Sequence, residues 1–213
     1  MRGVFISLEG IDGSGKSTQA RMLVEYLTDM AVEVVSVREP GSTVLAEKVR
    51  AILLQPESEI CGRAELMLYE AARAQLTNEV IRPALSRGAI VVADRFGDSS
   101  VAYQGYGREL GADVVRMANE VATDGVLPDL TFVVDVPVEV AHLRRGNEPD
   151  RIEQESSRFH ERVREGFLAI ANEEHSRVVV VDGTRSVDRV FEDICGVVLA
   201  RLTLTRERDE DSY

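Results

Sequence analysis

The chain has 213 residues, of which 44% are hydrophobic and 29% charged, a composition that fits one domain around a single buried core. Its formal net charge of -12 excludes roles that rest on clustered Lys and Arg against nucleic-acid polymers, and leaves any anionic ligand to a local cationic pocket. No apolar run has membrane-span length, "VFISLEG" follows the N-terminus without a signal-peptide layout, and Cys61 and Cys195 lie far apart as reduced thiols would, so a cytoplasmic protein away from membranes is expected.

In chain order, "VFISLE" (4–9) reads as the first strand and 16–30 as the helix after it. "VVSV" (34–37) is the second strand, followed by helices over 43–54 and 63–87. "AIVVAD" (89–94) precedes a helix over 98–122, and "LTFVVDV" (130–136) precedes one over 137–145. A helix over 157–175, the strand "VVVVD" (178–182) and a helix over 186–206 complete the series. The strand runs are continuously apolar and β-branched, the pattern of strands buried on both faces. Alternation with helices predicts an α/β fold with a parallel sheet, here over 1–205. "RRGNEPDRIEQES" (144–156) is polar and irregular, and the charged tail 206–213 is expected to fray.

Between the first strand and the first helix lies "GIDGSGKS", a match to G-x-x-x-x-G-K-[ST] in the setting that makes the motif a site. Its glycines let backbone N–H groups turn around phosphate oxygens, and the helix N-terminus adds partial positive charge. Gly10, Ile11, Asp12, Gly13, Ser14, Gly15, Lys16, Ser17 and Thr18 form the expected ATP-binding set. Lys16 would reach the β and γ phosphates and Ser17 would ligate Mg²⁺. A GTPase base-reading N-K-x-D is absent from the sequence.

Four further motifs stand in order: "REPGS" (38–42) after the second strand, "LMLYEAARAQL" (66–76) on a helix, "DRF" (94–96) leading into "DSSVAYQGYGR", and "DRIEQES" (150–156) in the polar segment. With the phosphate loop, the set resembles the bacterial thymidylate kinases over about residues 4–184. The resemblance implies a P-loop NTPase fold with a five-stranded parallel sheet flanked by helices, a mobile lid over about 144–156, and a homodimer. It implies transfer of the ATP γ-phosphoryl group to dTMP, giving dTDP for dTTP synthesis, with Mg²⁺. The alternatives are a P-loop kinase with another acceptor, such as a deoxynucleoside, and a regulatory P-loop protein without turnover.

By the same resemblance, Asp12 faces the sugar of the acceptor nucleotide and Arg95 holds its phosphate, a task that suits a planar guanidinium. Asp94 either orients Arg95 or holds a magnesium-bound water. Tyr69 and Arg73 share a helix face, where Tyr69 would stack on thymine and Arg73 would bond its O4. Ser100, Tyr103 and Gln104 resemble readers of base and sugar, and Arg50 is an expected reach toward the acceptor phosphate. Glu39 and Pro40 complete the acceptor set, with a cis bond implied between them. The loop "IDGS" carries no arginine, so the resemblance is to the lid-arginine type, with Arg145 or Arg151 meeting the transferring phosphate. Asp98 reads as a helix cap. His142, His160 and His175 read as unclustered surface or helix residues and not as metal ligands.

Overall fold

The computed structural model describes residues 3–145 and 149–210, with side chains up to residue 202. Residues 146–148 of the expected lid and 211–213 of the expected tail lie outside the described residues. Five parallel strands, β1 (Phe5–Glu9), β2 (Val34–Arg38), β3 (Ile90–Asp94), β4 (Leu130–Asp135) and β5 (Val178–Asp182), stand in the order β2-β3-β1-β4-β5. Each matches an apolar run of the sequence. β1 is central and wholly buried, so both its faces must be apolar.

The helices are α1 (Lys16–Asp29), α2 (Val44–Leu54), α3 (Gly62–Leu76), α4 (Arg82–Ser86), α5 (Gly97–Ser100), α6 (Ala112–Thr123), α7 (Val138–Arg144), α8 (Ser157–Glu173) and α9 (Val187–Glu210). On one side of the sheet, Ile6 and Leu8 of β1 pack with Leu23 and Leu27 of α1 and with Ile194 and Val198 of α9. On the other, Phe5 packs with Leu76, Ile81 and Phe96. Each such fully buried apolar side chain contributes roughly 1.5–3 kcal/mol. A third cluster joins Val133 and Val136 to Tyr103, Phe159, Val163 and Phe167, and seats α8 against β4.

Two expected helices prove composite. The stretch 63–87 is α3, a π turn over Thr77–Ile81 and α4. The stretch 98–122 divides more sharply. α5 runs into a π turn over Val101–Gly107, the chain breaks at 108–111, and α6 begins after Gly111, whose φ is +92°. Gly107 is the reason for the close seating of α8, since a Cβ there would lie 2.7 Å from the Phe159 ring and 2.8 Å from Val163. The C-terminal helix, expected over 186–206, runs to Glu210.

Candidate active site

The loop between β1 and α1 is bent by residues that only glycine serves well. Gly15 precedes α1 at φ +97°, and Gly13 stands at φ +88° with the Ala141 carbonyl oxygen 2.2 Å from where a Cβ would be. The backbone of this loop walls a cavity of about 430 Å³, with Gly13, Ser14, Gly15 and Thr18 on one side and Arg144, Gly183 and Arg185 on the other. Arg144 is held there by donating to the Gly183 carbonyl at 2.9 Å. Ser17 is exposed and Ile11 is buried in the core.

A second cavity opens on the other side of the same loop. It is lined by Asp12, Glu39, Pro40, Arg50, Tyr69 and Arg95, and by Ser100, Tyr103 and Gln104. Nine of the ten expected acceptor-side residues therefore share one pocket, drawn from the ends of β2 and β3, from α2 and α3, and from the π turn after α5. Ligand sites in open parallel sheets sit at such carboxyl ends. The Glu39–Pro40 bond is cis, as expected. Arg50 donates to the Pro40 carbonyl at 3.0 Å.

Arg73 is the tenth, and the structure places it elsewhere. It is 1% exposed and does not line the pocket. Its guanidinium donates to Glu39 at 2.6 and 2.9 Å, to Glu70 at 2.6 Å, to Asn119 at 2.6 Å and to Ser100 Oγ at 2.9 Å. The stacking and O4 pair expected of Tyr69 and Arg73 thus resolves into one wall residue and one residue behind the wall. Two buried carboxylates draw the guanidinium inward, because an unpaired buried charge is far more costly than a shared one.

Electrostatics concentrate at Asp12. Its carboxylate accepts from Arg95 at 2.5 Å, from Lys16 at 3.2 Å and from the Tyr103 hydroxyl at 3.0 Å. Burial alone would raise its pKa, but Arg95 and Lys16 hold it far below the usual carboxylate range. Burial and the neighbouring Arg95 lower Lys16, against Asp12 and Asp94. Arg95 has φ +74°, an uncommon conformation for a residue with a Cβ. It is fixed by donating to the Gly10 carbonyl at 2.9 Å and to Ser99 Oγ at 3.0 Å. Ser99 in turn donates at 2.6 Å to Glu9, a fully buried carboxylate that also accepts from the Phe96 N–H at 2.7 Å.

The lid arginines separate by geometry. Arg151 is pinned: its Nε donates to the Leu53 carbonyl at 2.7 Å and its Nη2 pairs with Glu65 at 2.8 Å. Arg145 reaches the phosphate loop, donating to the Asp12 carbonyl at 3.1 Å, and its buried Nη2 has no partner. Two expectations are overturned nearby. His142 and His160 do meet, with ring centroids 5.5 Å apart, because α7 and α8 pack against each other. His160 is fully buried beside Arg145, and burial and that cation push it down to about 4. Asp98 is not a cap: its carboxylate accepts from Arg177 at 2.7 and 2.9 Å, and a charged partner outcompetes a backbone N–H.

The model of the family described as thymidylate kinase matches residues 8–194. A thymidylate kinase of Fervidobacterium nodosum is 49% identical over 200 residues, covering 93% of this chain and 100% of the relative. One of Kosmotoga olearia is 50% identical over 193 residues, covering 90% of this chain and 93% of the relative. The crystal structure of thymidylate kinase from Ehrlichia chaffeensis superposes with a TM-score of 0.78 at 35% identity, covering 93% of this chain and 99% of that one. The chain belongs to the thymidylate kinase family. It is an ATP-using kinase that phosphorylates dTMP to dTDP.

Thymidylate kinase chemistry joins a donor and an acceptor nucleotide, and two cavities open on either side of one loop. A divalent cation fits this site. The buried Asp94 Oδ1 has no partner, it lies close enough to Lys16 to act on its charge, and the Ser17 side chain is exposed at the start of α1. Among the described residues no group of three or more His, Cys, Asp or Glu forms a separate metal site. Also among the described residues, no helix is long and apolar enough to cross a membrane.

Several residues of the site escape sequence reasoning. Leu54, Ser99, Asp150 and Ile152 line the Asp12 cavity, and Gly183 and Arg185 line the cavity across the loop. "VDGTRS" at the carboxyl end of β5 carried a readable signal, since that end of a parallel strand is where ligands bind. Glu65, Glu70 and Asn119 carried none, as each gains its meaning from partners far along the chain.

Proposed function

We propose that dTMP binds in the pocket of Asp12, Tyr69, Arg95, Ser100, Tyr103 and Gln104, and that Mg²⁺·ATP binds through residues 10–18 with its base toward Arg144 and Arg185. The single observation that carries this is the shared wall: Gly13, Ser14 and Gly15 face one cavity while Asp12, in the same loop, faces the other. Two nucleotides so placed meet end to end at Lys16 and Arg95. Holding them in line converts a bimolecular step into a nearly unimolecular one.

Arg95 holds the acceptor phosphate, with Asp12 exchanging its grip on Arg95 and Lys16 for contact with the acceptor. Lys16 and Arg145 neutralise charge on the transferring group, and Arg145 has the unpartnered Nη2 to do so. Arg151 anchors the lid. No general base is required, because a phosphate monoester oxygen is already ionised near neutral pH. Ser17 and Asp94 would hold Mg²⁺, which would supply charge neutralisation and orientation at the donor phosphates. Arg73 acts from behind the wall, fixing Glu39 and Ser100. Titration of binding tests the placement: Arg95→Lys weakens dTMP while leaving ATP affinity intact, and equal losses for both ligands contradict it.

The working unit is a cytoplasmic homodimer of one kinase domain over 1–205 with a lid about 144–156. Val114, Met117 and Val121 recur at spacings of three and four along α6, with Met117 60% and Val121 85% exposed, and Met67 on the neighbouring α3 is also exposed. An apolar stripe of this kind marks an interaction surface, and a two-fold pairing buries it against itself. The free thiols Cys61 and Cys195 suit a reducing compartment.

A further inference from the structure

Glu65 is a fully buried carboxylate on α3 that takes no part in the chemistry above. Three hydrogen bonds and one ion pair surround it. Its Oε1 accepts from Gln104 Nε2 at 2.9 Å and from Arg108 Nε at 3.0 Å. Its Oε2 accepts from Arg108 Nη2 at 2.9 Å and pairs with Arg151 Nη2 at 2.8 Å. Burial opposes the charge, but Arg108, Gln104 and Arg151 together hold the carboxyl below its ordinary value, so it is ionised near neutral pH.

An ionised carboxylate can only accept hydrogen bonds. The Gln104 amide, which could otherwise turn either way, must therefore present its NH₂ to Glu65. Gln104 is 1% exposed and lines the acceptor pocket. With Nε2 committed, its carbonyl Oε1 is the group left for that pocket. The pocket thus carries a fixed acceptor. Along the pairing edge of thymine the carbonyls are acceptors, and the one donor is the N3–H. Cytosine has a lone pair at N3, which a fixed carbonyl repels.

We propose that Glu65 is a specificity-determining positioning residue: by fixing the Gln104 amide, it makes the pocket accept a pyrimidine with an N3–H and reject cytosine. The assignment rests on the acceptor base lying in this pocket. The same carboxylate ties the pocket to the lid, since Arg151 comes from the lid and Arg108 also pairs with Glu155.

The test is kcat/KM for dTMP and for dCMP in the wild type and in Glu65→Gln, Glu65→Asp and Arg151→Gln. The Glu65→Gln amide can donate as well as accept, so Gln104 is released to turn. The preference for dTMP then falls roughly tenfold or more. Glu65→Asp stays ionised but withdraws from Gln104, and is expected to lose preference as well, which keeps the test intact if Glu65→Gln folds poorly. Arg151→Gln disturbs the lid without turning the amide, so turnover falls for both acceptors and their ratio holds. A dTMP-selective wild type whose Glu65 variants keep the wild-type ratio overturns the role of Glu65 alone. A wild type that favours dCMP overturns both the role and the placement of the base.

Discussion

Asp12 and Arg95 lie 2.5 Å apart, across the mouth of the acceptor pocket. An acid inside a phosphate loop looks misplaced until its partners are counted. Asp12 bonds both Lys16 and Arg95, so it neutralises and orients the two cations that the proposed mechanism sets against phosphate. Asp12→Asn removes that charge while keeping the shape. We expect kcat/KM for dTMP to fall by roughly 10²-fold, read by steady-state kinetics, with ATP still bound. Wild-type kinetics in this variant would show that the pair is incidental.

The two lid arginines are expected to fail in different ways. Arg145→Ala removes a cation beside the phosphate loop, so kcat drops by roughly 10²-fold while the melting temperature stays put. Arg151→Ala strips one partner from buried Glu65, which keeps Arg108 and Gln104, so stability falls by roughly 1–3 kcal/mol. Thermal denaturation and turnover, measured on both variants, separate the roles. A stable, inactive Arg151→Ala beside an active Arg145→Ala would reverse the assignment.

Burial, with Asp98 nearby, pushes Glu9 from 4.5 up to about 7. Its folded pKa is therefore above its unfolded one, and folding favours the neutral form. The stability it contributes is full below pH 4.5 and is lost as pH rises through 7. Glu9→Gln cannot titrate. We expect the wild type to lose melting temperature relative to Glu9→Gln between pH 4.5 and 7, as followed by calorimetry. A constant difference across that window would place the Glu9 pKa near its ordinary value.

What was legible in the sequence was local. The phosphate loop could be read because strand, glycines and helix are contiguous, and the five strands because each is an unbroken apolar run. What was hidden was set by long-range pairing. Asp98 satisfies every local rule for a cap, yet Arg177, 79 residues away, claims its carboxylate. The spacing of Arg73 from Tyr69 shows a shared helix face, and its role as a base reader is implied only by resemblance. Its burial depends on Glu39 and Asn119, 34 and 46 residues distant. His142 and His160 meet because α7 and α8 pack together, which spacing alone does not reveal. The choice between Arg145 and Arg151 likewise needed Glu65 and Leu53 in space.

The apolar stripe on α6 yields a separate expectation. In the proposed dimer, Val121→Glu puts a charge in the middle of the paired surface, so the variant is expected to sediment as a monomer and the wild type as a dimer. Sedimentation velocity at several concentrations decides it, and an unchanged dimer would move the interface elsewhere.

The most direct test of the whole account is ADP formation from Mg²⁺·ATP with dTMP, dUMP, UMP, dCMP, AMP, GMP and thymidine as separate acceptors. dTMP is expected to dominate, with dCMP among the poorest of the pyrimidine monophosphates. Leading activity with any other acceptor would contradict it, for the pocket of Tyr69, Arg95 and Gln104 would then be reading a different base.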